Sequence, residues 1–166
     1  MREITGAGLL TGTFRTRVEV RSYEIDVNGH LNQAVYHQYT EHARMEHLRR
    51  AGVDQPALER QGVTVVLLAS TMRYLAELRA GDVVEVDSRI HFTERKPFTV
   101  THRLTRVRRA DGTPDDTVAA EAECTAGVLD VTQRRLVADP HDRLAAAAAA
   151  AARSEAEVEA EVEAGD

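Results

Sequence analysis

The chain reads as an α+β domain in which a largely antiparallel sheet wraps on one long helix. Three observations predict it. Phe14 to Val20 alternates apolar and charged residues, as a strand with one buried face does. Ala34 to Ala51 holds no Pro or Gly and carries a helical stripe. Four or more further strand patterns follow Gly62, separated by turn signals. One strand, a long helix and then a run of strands is the element order of an α+β domain.

In the first strand Phe14, Thr16, Val18 and Val20 share one face, while Arg15, Arg17, Glu19 and Arg21 share the other. The chain then passes Tyr23, Glu24 and Ile25 and enters DVNGHLN, which sets Asp26, Asn28, His30 and Asn32 at every second position. An extended run aims all four at one surface, whereas a turn, which the Asn28-Gly29 pair favours, breaks the row. A carboxylate, an amide and an imidazole within five residues supply a base or nucleophile, an orienting hydrogen bonder and a proton carrier. This is an acid-base cluster whose spacing leaves the reaction unnamed.

On the helix that follows, Val35, Tyr36, Tyr39, Ala43 and Ala51 fall within one half of the surface, and Gly52 supplies a stop. Glu46 and Arg50, one turn apart, are expected to pair. His37, His42 and His47 recur every five residues, about 140° apart on a helix, so they do not share a metal.

Val63 to Ala69 is an apolar, branched run suited to a buried strand, continuing through Thr71 and Arg73 to Tyr74. Ala80-Gly81-Asp82 is a turn. Val84, Val86, Ser88, Ile90 and Phe92 mark the next strand, and Pro97 separates it from Phe98 to Arg109. Ala110 to Thr117 reads as a polar loop. Val118, Ala120, Ala122, Cys124, Ala126 and Val128 line one face of a last long strand, with Arg134 to Val137 extending the sheet. The domain is expected to occupy residues 1–140. Residues 141–166 form an Ala/Glu-rich tail, helical or disordered and dispensable for chemistry, with eight alanines from Ala145 to Ala152.

Ser154 to Asp166 contains five Glu and one Asp, which accounts for all of the net charge of -6. The remaining 21 acidic residues match the 21 basic ones, so no whole-molecule attraction to nucleic acid or anionic membrane is expected. The lone Cys124 suits a reducing compartment and a buried structural role. The first residues lack an apolar run long enough for a signal-peptide core or a membrane span, which predicts a cytoplasmic protein. Gly6, Gly8 and Gly12 miss the GxGxxG spacing, and no phosphate loop, zinc spacing or GxSxG elbow occurs. The chemistry is therefore expected to use carboxylates, amides and histidines, with no metal or nucleotide cofactor.

The segment EIDVNGHLNQAVYHQYTEHARMEHLRRAG resembles the signature of the hotdog-fold thioesterases, including the 4-hydroxybenzoyl-CoA thioesterase group and short acyl-CoA thioesterases. In that family a strand leads to an Asp three residues before a Gly, and a long central helix follows. Asp26-Val27-Asn28-Gly29 fits, with Asp26 at the position of the catalytic Asp. The resemblance spans most of residues 14–140 and takes in YLAELRAGD, Tyr74 to Asp82. A sharper similarity is to acyl-ACP thioesterases of the plant and bacterial fatty-acid type, whose motif sets Asp, Asn and His at alternate positions before Val-Asn. Here Asp26, Asn28 and His30 precede Leu31 and Asn32. Those enzymes also use a Glu three residues after a Tyr, and Glu77 stands three after Tyr74.

The resemblance implies a hotdog fold and hydrolysis of an acyl thioester to acid and thiol. Backbone N–H groups of His30, Leu31 and Asn32 would polarise the carbonyl at the helix start. Asp26 or Glu77 would act as general base or nucleophile, with Asn28 and His30 orienting water and balancing charge. Tyr36 and Tyr39 are candidates for the acyl pocket, and Arg95 and Lys96 for the phosphates of coenzyme A. Coenzyme A or acyl carrier protein enters as part of the substrate. Relatives of this kind build the site across a dimer interface, so a homodimer or homotetramer is expected. Two other readings are a non-catalytic acyl-thioester-binding hotdog module and a hotdog acyl-CoA hydratase or dehydratase. In the latter group Asp and His lie five apart with a Pro between them, whereas Asp26 and His30 are four apart with none.

Overall fold

The alternation of Phe14, Thr16 and Val18 with charged neighbours builds β1 (Thr13–Glu19) in a computed structural model that describes residues 10–164. One turn of 3-10 helix (Ser22–Glu24) leads into the DVNGHLN segment and on to α1 (Gln33–Arg50). Then come α2 (Gln55–Arg60), β2 (Val63–Tyr74), β3 (Val83–His91), β4 (Pro97–Arg108), β5 (Pro114–Asp130), β6 (Arg135–Leu136) and α3 (Pro140–Ala164). The strands pair antiparallel in the order β1-β3-β4-β5-β2, with β6 added to β5. The sheet curls around α1, which lies against β1 and β3. This is the predicted α+β architecture.

Helix α1 starts where Asn32 caps it, its side-chain oxygen accepting the Ala34 amide at 2.9 Å. It ends at Ala51-Gly52, where Gly52 takes a φ of 78° that favours glycine. Val35, Tyr36, Tyr39, Ala43 and Ala51 are all buried, as the stripe predicts. The same face also buries Thr40, Arg44 and His47, and His47 Nδ1 lies 3.0 Å from Ser88 Oγ. The expected Glu46–Arg50 pair does not form. Arg49 takes Glu46 instead, with Nη2 2.8 Å from Oε2, because residues three apart are equally neighbours on a helix.

Helix α2 went unpredicted, although its signals are present. Asp54 caps it by accepting the Ala57 amide at 2.9 Å, and Pro56 occupies its first turn, where no amide is needed. Two strands differ from expectation. β5 begins at Pro114 and absorbs the second half of the expected loop. β2 is an edge strand rather than a buried one: Val63 is buried, but Leu67 and Leu68 are 50% and 49% exposed. Val65 still packs on the core, and the run turns outward at Leu67 to Ala69, where the pairing register shifts.

The β3–β4 ladder opens at Asp87 and Ser88, and side chains take over the backbone's bonding there. The Arg103 amide donates to Asp87 Oδ1 at 2.8 Å, and His102 Nδ1 lies 3.0 Å from the Asp87 carbonyl. His102 is buried, and its Nε2 has no partner among the described residues. Burial pushes its imidazole down to about 4.

The core has two parts along α1. The N-terminal half packs Val35, Tyr36, Tyr39 and Ala43 with Leu31, Leu78, Val86 and Leu104. The C-terminal half packs Leu48 and Ala51 with Phe98, Val100, Cys124 and Val128. Leu144 and Ala148 of α3 belong to this second part, and Ala148 lies against Gly52, so the core continues past residue 140. Small alanines let α3 approach closely enough to bury its first turns. Among the described residues no helix is long and apolar enough to cross a membrane.

Candidate active site

The DVNGHLN segment does not run extended. The Gly29 amide donates to the Asp26 carbonyl at 3.0 Å, the Asp26 amide to the His30 carbonyl at 2.8 Å, and Ile25 bridges Leu31 antiparallel. Gly29 supplies the φ of 78° that closes this tight turn. The row of four side chains is therefore broken. Asp26 Oδ1 folds back onto the Asn28 amide at 2.8 Å and the His30 amide at 3.4 Å. Its Oδ2 has no partner among the described residues, and Asp26 lines a cleft of about 380 Å³. Asn28 contributes its backbone to the turn, and its side chain stays outside the cleft.

Glu77 enters from the loop between β2 and β3, past the end of the strand. Its Oε2 lies 2.9 Å from His30 Nε2. Its Oε1 accepts Arg79 Nε at 3.0 Å and Arg79 Nη2 at 2.7 Å, and the same Nη2 is 3.3 Å from His30 Nε2. The Arg79 guanidinium, with His30 and Arg106 behind it, holds the Glu77 carboxyl below the usual carboxylate range. Asp26, His30 and Glu77 thus meet in one cleft, and Arg79 joins them. Sequence reasoning missed Arg79. Its signal was spacing, since residues two apart in an extended loop point the same way.

The amides expected to meet an oxyanion are engaged elsewhere. Leu31 donates to the Leu78 carbonyl at 2.8 Å, Asn32 to the Glu24 carbonyl at 2.9 Å, and His30 leans on Asp26. The Glu77 loop takes the first, the 3-10 turn the second and the Asp26 turn the third. Gln33, the first residue of α1, lines the cleft, and its N–H has no acceptor among the described residues.

Tyr36 lines the cleft and meets Tyr74 edge-on with ring centroids 5.2 Å apart. Tyr39 does not line it. Its hydroxyl donates to Glu24 inside the core. Burial pushes the Glu24 carboxyl up, but Tyr39, the Arg21 amide and the Arg21 guanidinium outweigh it and hold the group low. Burial, then the Glu24 carboxylate, drive the Tyr39 hydroxyl far above its ordinary range. Arg95 and Lys96 sit in the β3–β4 hairpin beside Phe92, which packs on Phe98 and His141 in the other half of the core. One chain does not bring them to Asp26. Cys124 is buried, with Ser70 Oγ 3.6 Å from its sulfur.

A family model described as the thioesterase-like superfamily matches residues 20–152, which takes in the Asp26 turn, α1, Glu77 and the start of α3. The chain belongs to the thioesterase-like superfamily. This superfamily member is 33% identical over 100 residues to the chloroplastic acyl-acyl carrier protein thioesterase ATL3 of Arabidopsis thaliana, covering 60% of this chain and 53% of that protein. It is 31% identical over 94 residues to the acyl-CoA thioester hydrolase YbgC of Escherichia coli, covering 57% of this chain and 70% of that one. The chain spans about half the length of the Arabidopsis relatives it matches. A Staphylococcus aureus protein solved in complex with CoA superposes with a TM-score of 0.69 at 25% identity, over 86% of this chain and 85% of that one. The fold of this thioesterase-like chain is the hotdog fold.

Proposed function

We propose that the chain hydrolyses an acyl thioester carried by coenzyme A or an acyl carrier protein, releasing a free acid and a thiol. The observation that carries this reading is Asp26 Oδ2, which has no partner among the described residues and sits in the cleft with the His30–Glu77 pair. Relatives named as an acyl-acyl carrier protein thioesterase and an acyl-CoA thioester hydrolase support it, as does a fold neighbour that holds CoA.

The thioester carbonyl lies against the Gln33 N–H, where the positive end of the helix dipole stabilises the developing oxyanion. Asp26 Oδ2 takes a proton from the water that attacks the carbonyl carbon and later returns it to His30; alternatively Oδ2 attacks the carbon itself, and water then cleaves the acyl–Asp26 anhydride, one water proton restoring His30 and the other leaving with the acid. Both routes need this oxygen free. Collapse of the tetrahedral intermediate breaks the C–S bond, and the departing thiolate takes a proton from His30. Glu77 is the partner of His30 rather than the reacting carboxylate, because both its oxygens are occupied. Tyr36, Tyr74 and Leu75 offer an apolar wall to the acyl group.

The exposed β2 edge is best used by a second copy. Leu67, Leu68 and Tyr74 of β2, and Leu75 just past it, are about half exposed at the end of the sheet, where β2 pairs with β5 on one side and leaves its other edge open among the described residues, an arrangement that invites pairing. A homodimer joined along β2 covers these residues beside the cleft. Arg95 and Lys96 reach a CoA phosphate only from such a neighbour.

Acyl-CoAs from acetyl to palmitoyl, benzoyl-CoA and matching acyl carrier proteins, with thiol release followed optically, test the function. Turnover of at least one is expected. Binding without thiol release would make the chain a thioester-binding module, and loss of enoyl-CoA absorbance without thiol release a hydratase.

A further inference from the structure

Next to the cleft lies a buried ion network that takes no part in the proposed reaction. Arg106 on β4 is 7% exposed and Asp82 4%. Arg106 Nε donates to Asp115 Oδ2 at 2.8 Å, and Nη1 lies 3.3 Å from Asp82 Oδ2. The same Nη1 donates to the backbone carbonyl of Glu77 at 3.0 Å. Burial works against the charge on Arg106, but Asp115 and Asp82 outweigh it. Asp82 also reaches the loop directly, its Oδ2 accepting the Arg79 amide at 3.0 Å, while Oδ1 takes the Ala110 amide at 3.1 Å. Residues 77–82 thus hang from this hub at the Glu77 carbonyl and the Arg79 amide. These are the two residues whose side chains meet His30.

Stability is a poor reason to keep such a network. Taking three charges out of water costs about as much as their attraction returns, and apolar residues of similar volume often serve as well. An apolar set cannot hold backbone polar groups of a loop at fixed angles inside the protein. A planar guanidinium with several donors can.

We propose that Arg106 is the positioning residue for Glu77: it sets the 77–82 loop so that Glu77 Oε2 stays within hydrogen-bond reach of His30 Nε2. Arg106 touches neither the substrate nor the reacting atoms. The inference rests on the reading of Glu77 and His30 as parts of a thioester site.

Arg106→Lys tests it, since an ammonium keeps the charge between Asp82 and Asp115 but cannot span both carboxylates and the Glu77 carbonyl. Asp115→Asn is the second variant, loosening Arg106 from its far side, and circular-dichroism melting tracks folding in each. With the best acyl-CoA of the panel, Arg106→Lys is expected to lose about tenfold or more in kcat with little change in KM. In a Glu77→Gln background the further loss falls to about twofold or less, because coupled residues are non-additive. Asp115→Asn follows the same pattern with a smaller loss. In carbon-13 NMR titrations the Glu77 carboxyl moves up toward the ordinary range in either folded variant, as its carboxylate leaves the Arg79 fork. Equal losses in both backgrounds, or an unmoved Glu77 titration in whichever variant folds, overturn the proposal. A wild-type protein that cleaves no thioester sinks the hydrolase reading and leaves the Glu77 titration to decide the role of Arg106.

Discussion

The Leu31 amide donates to the Leu78 carbonyl at 2.8 Å, and this one bond ties the Asp26 turn to the Glu77 loop. Both side chains are buried in the same half of the core as Tyr36. Two segments far apart in the chain therefore present their carboxylates from a single packed floor. The bond also occupies the Leu31 amide, which leaves the start of α1 as the proposed donor to an oxyanion.

His102 makes stability depend on pH. Its imidazole is held down to about 4 against an ordinary 6.5, so between those values the unfolded chain binds a proton that the folded chain refuses. Stability contributed by the neutral ring is complete above about 6.5 and is lost as pH falls toward about 4, by about 3 kcal/mol in all. Urea denaturation at pH 7 and pH 5 should show a drop in the wild type. His102→Leu, less stable overall because the Asp87 carbonyl loses its partner, should show a smaller drop. Equal drops would contradict the assignment.

The β2 edge predicts a change in assembly. Leu67→Lys with Leu68→Lys places two charges on the exposed apolar stretch, and edge charges oppose strand pairing. Analytical ultracentrifugation should find the wild type dimeric or larger and the double variant monomeric with an unchanged circular-dichroism spectrum. A monomeric wild type would rule out this interface.

Helix α3 divides into a part that packs and a part beyond it. Ending the chain after Pro140 removes Leu144, Ala147 and Ala148 from the core and should destabilise it strongly. Leu144→Ala alone should cost about 2–5 kcal/mol by chemical denaturation. Ending the chain after Ala152 should leave the melting temperature close to that of the full chain. Indifference to the Pro140 truncation would return α3 to the status of a dispensable tail.

Much of this fold was legible because period and burial agree. Phe14, Thr16 and Val18 alternate because one face of β1 is covered, and Val35, Tyr36, Tyr39 and Ala43 recur helically because one face of α1 is. The apolar run of β2 misled for a physical reason: it reads as buried on both faces, whereas one chain leaves much of it uncovered. The Ala-rich stretch misled because alanine has too little bulk to advertise a core contact, yet its smallness is what permits close packing against Gly52. At the site, Asp26 and His30 stood out as an acid-base cluster in the sequence, Glu77 was named from the resemblance, and the geometry brings the three together. Arg79 and Arg106 were not found, because their roles depend on partners brought together only by folding, Arg106 from β4 to the Glu77 carbonyl above all. Gln33 was missed by a single residue, since the last donors before the helix, Leu31 and Asn32, are spent on the Leu78 and Glu24 carbonyls.

The central claim is that Asp26 is the reacting carboxylate and Glu77 its supporting neighbour. Thiol release from the best substrate by wild type, Asp26→Asn and Glu77→Gln tests it most directly, with circular dichroism confirming the fold of each. Asp26→Asn keeps the turn's acceptor but removes the free carboxylate oxygen, and should lower kcat by about a thousandfold or more. Glu77→Gln, which leaves Asp26 intact, should lose about tenfold to a hundredfold. A folded Asp26→Asn protein with a near wild-type rate, or a Glu77→Gln protein more impaired than Asp26→Asn, would contradict the account.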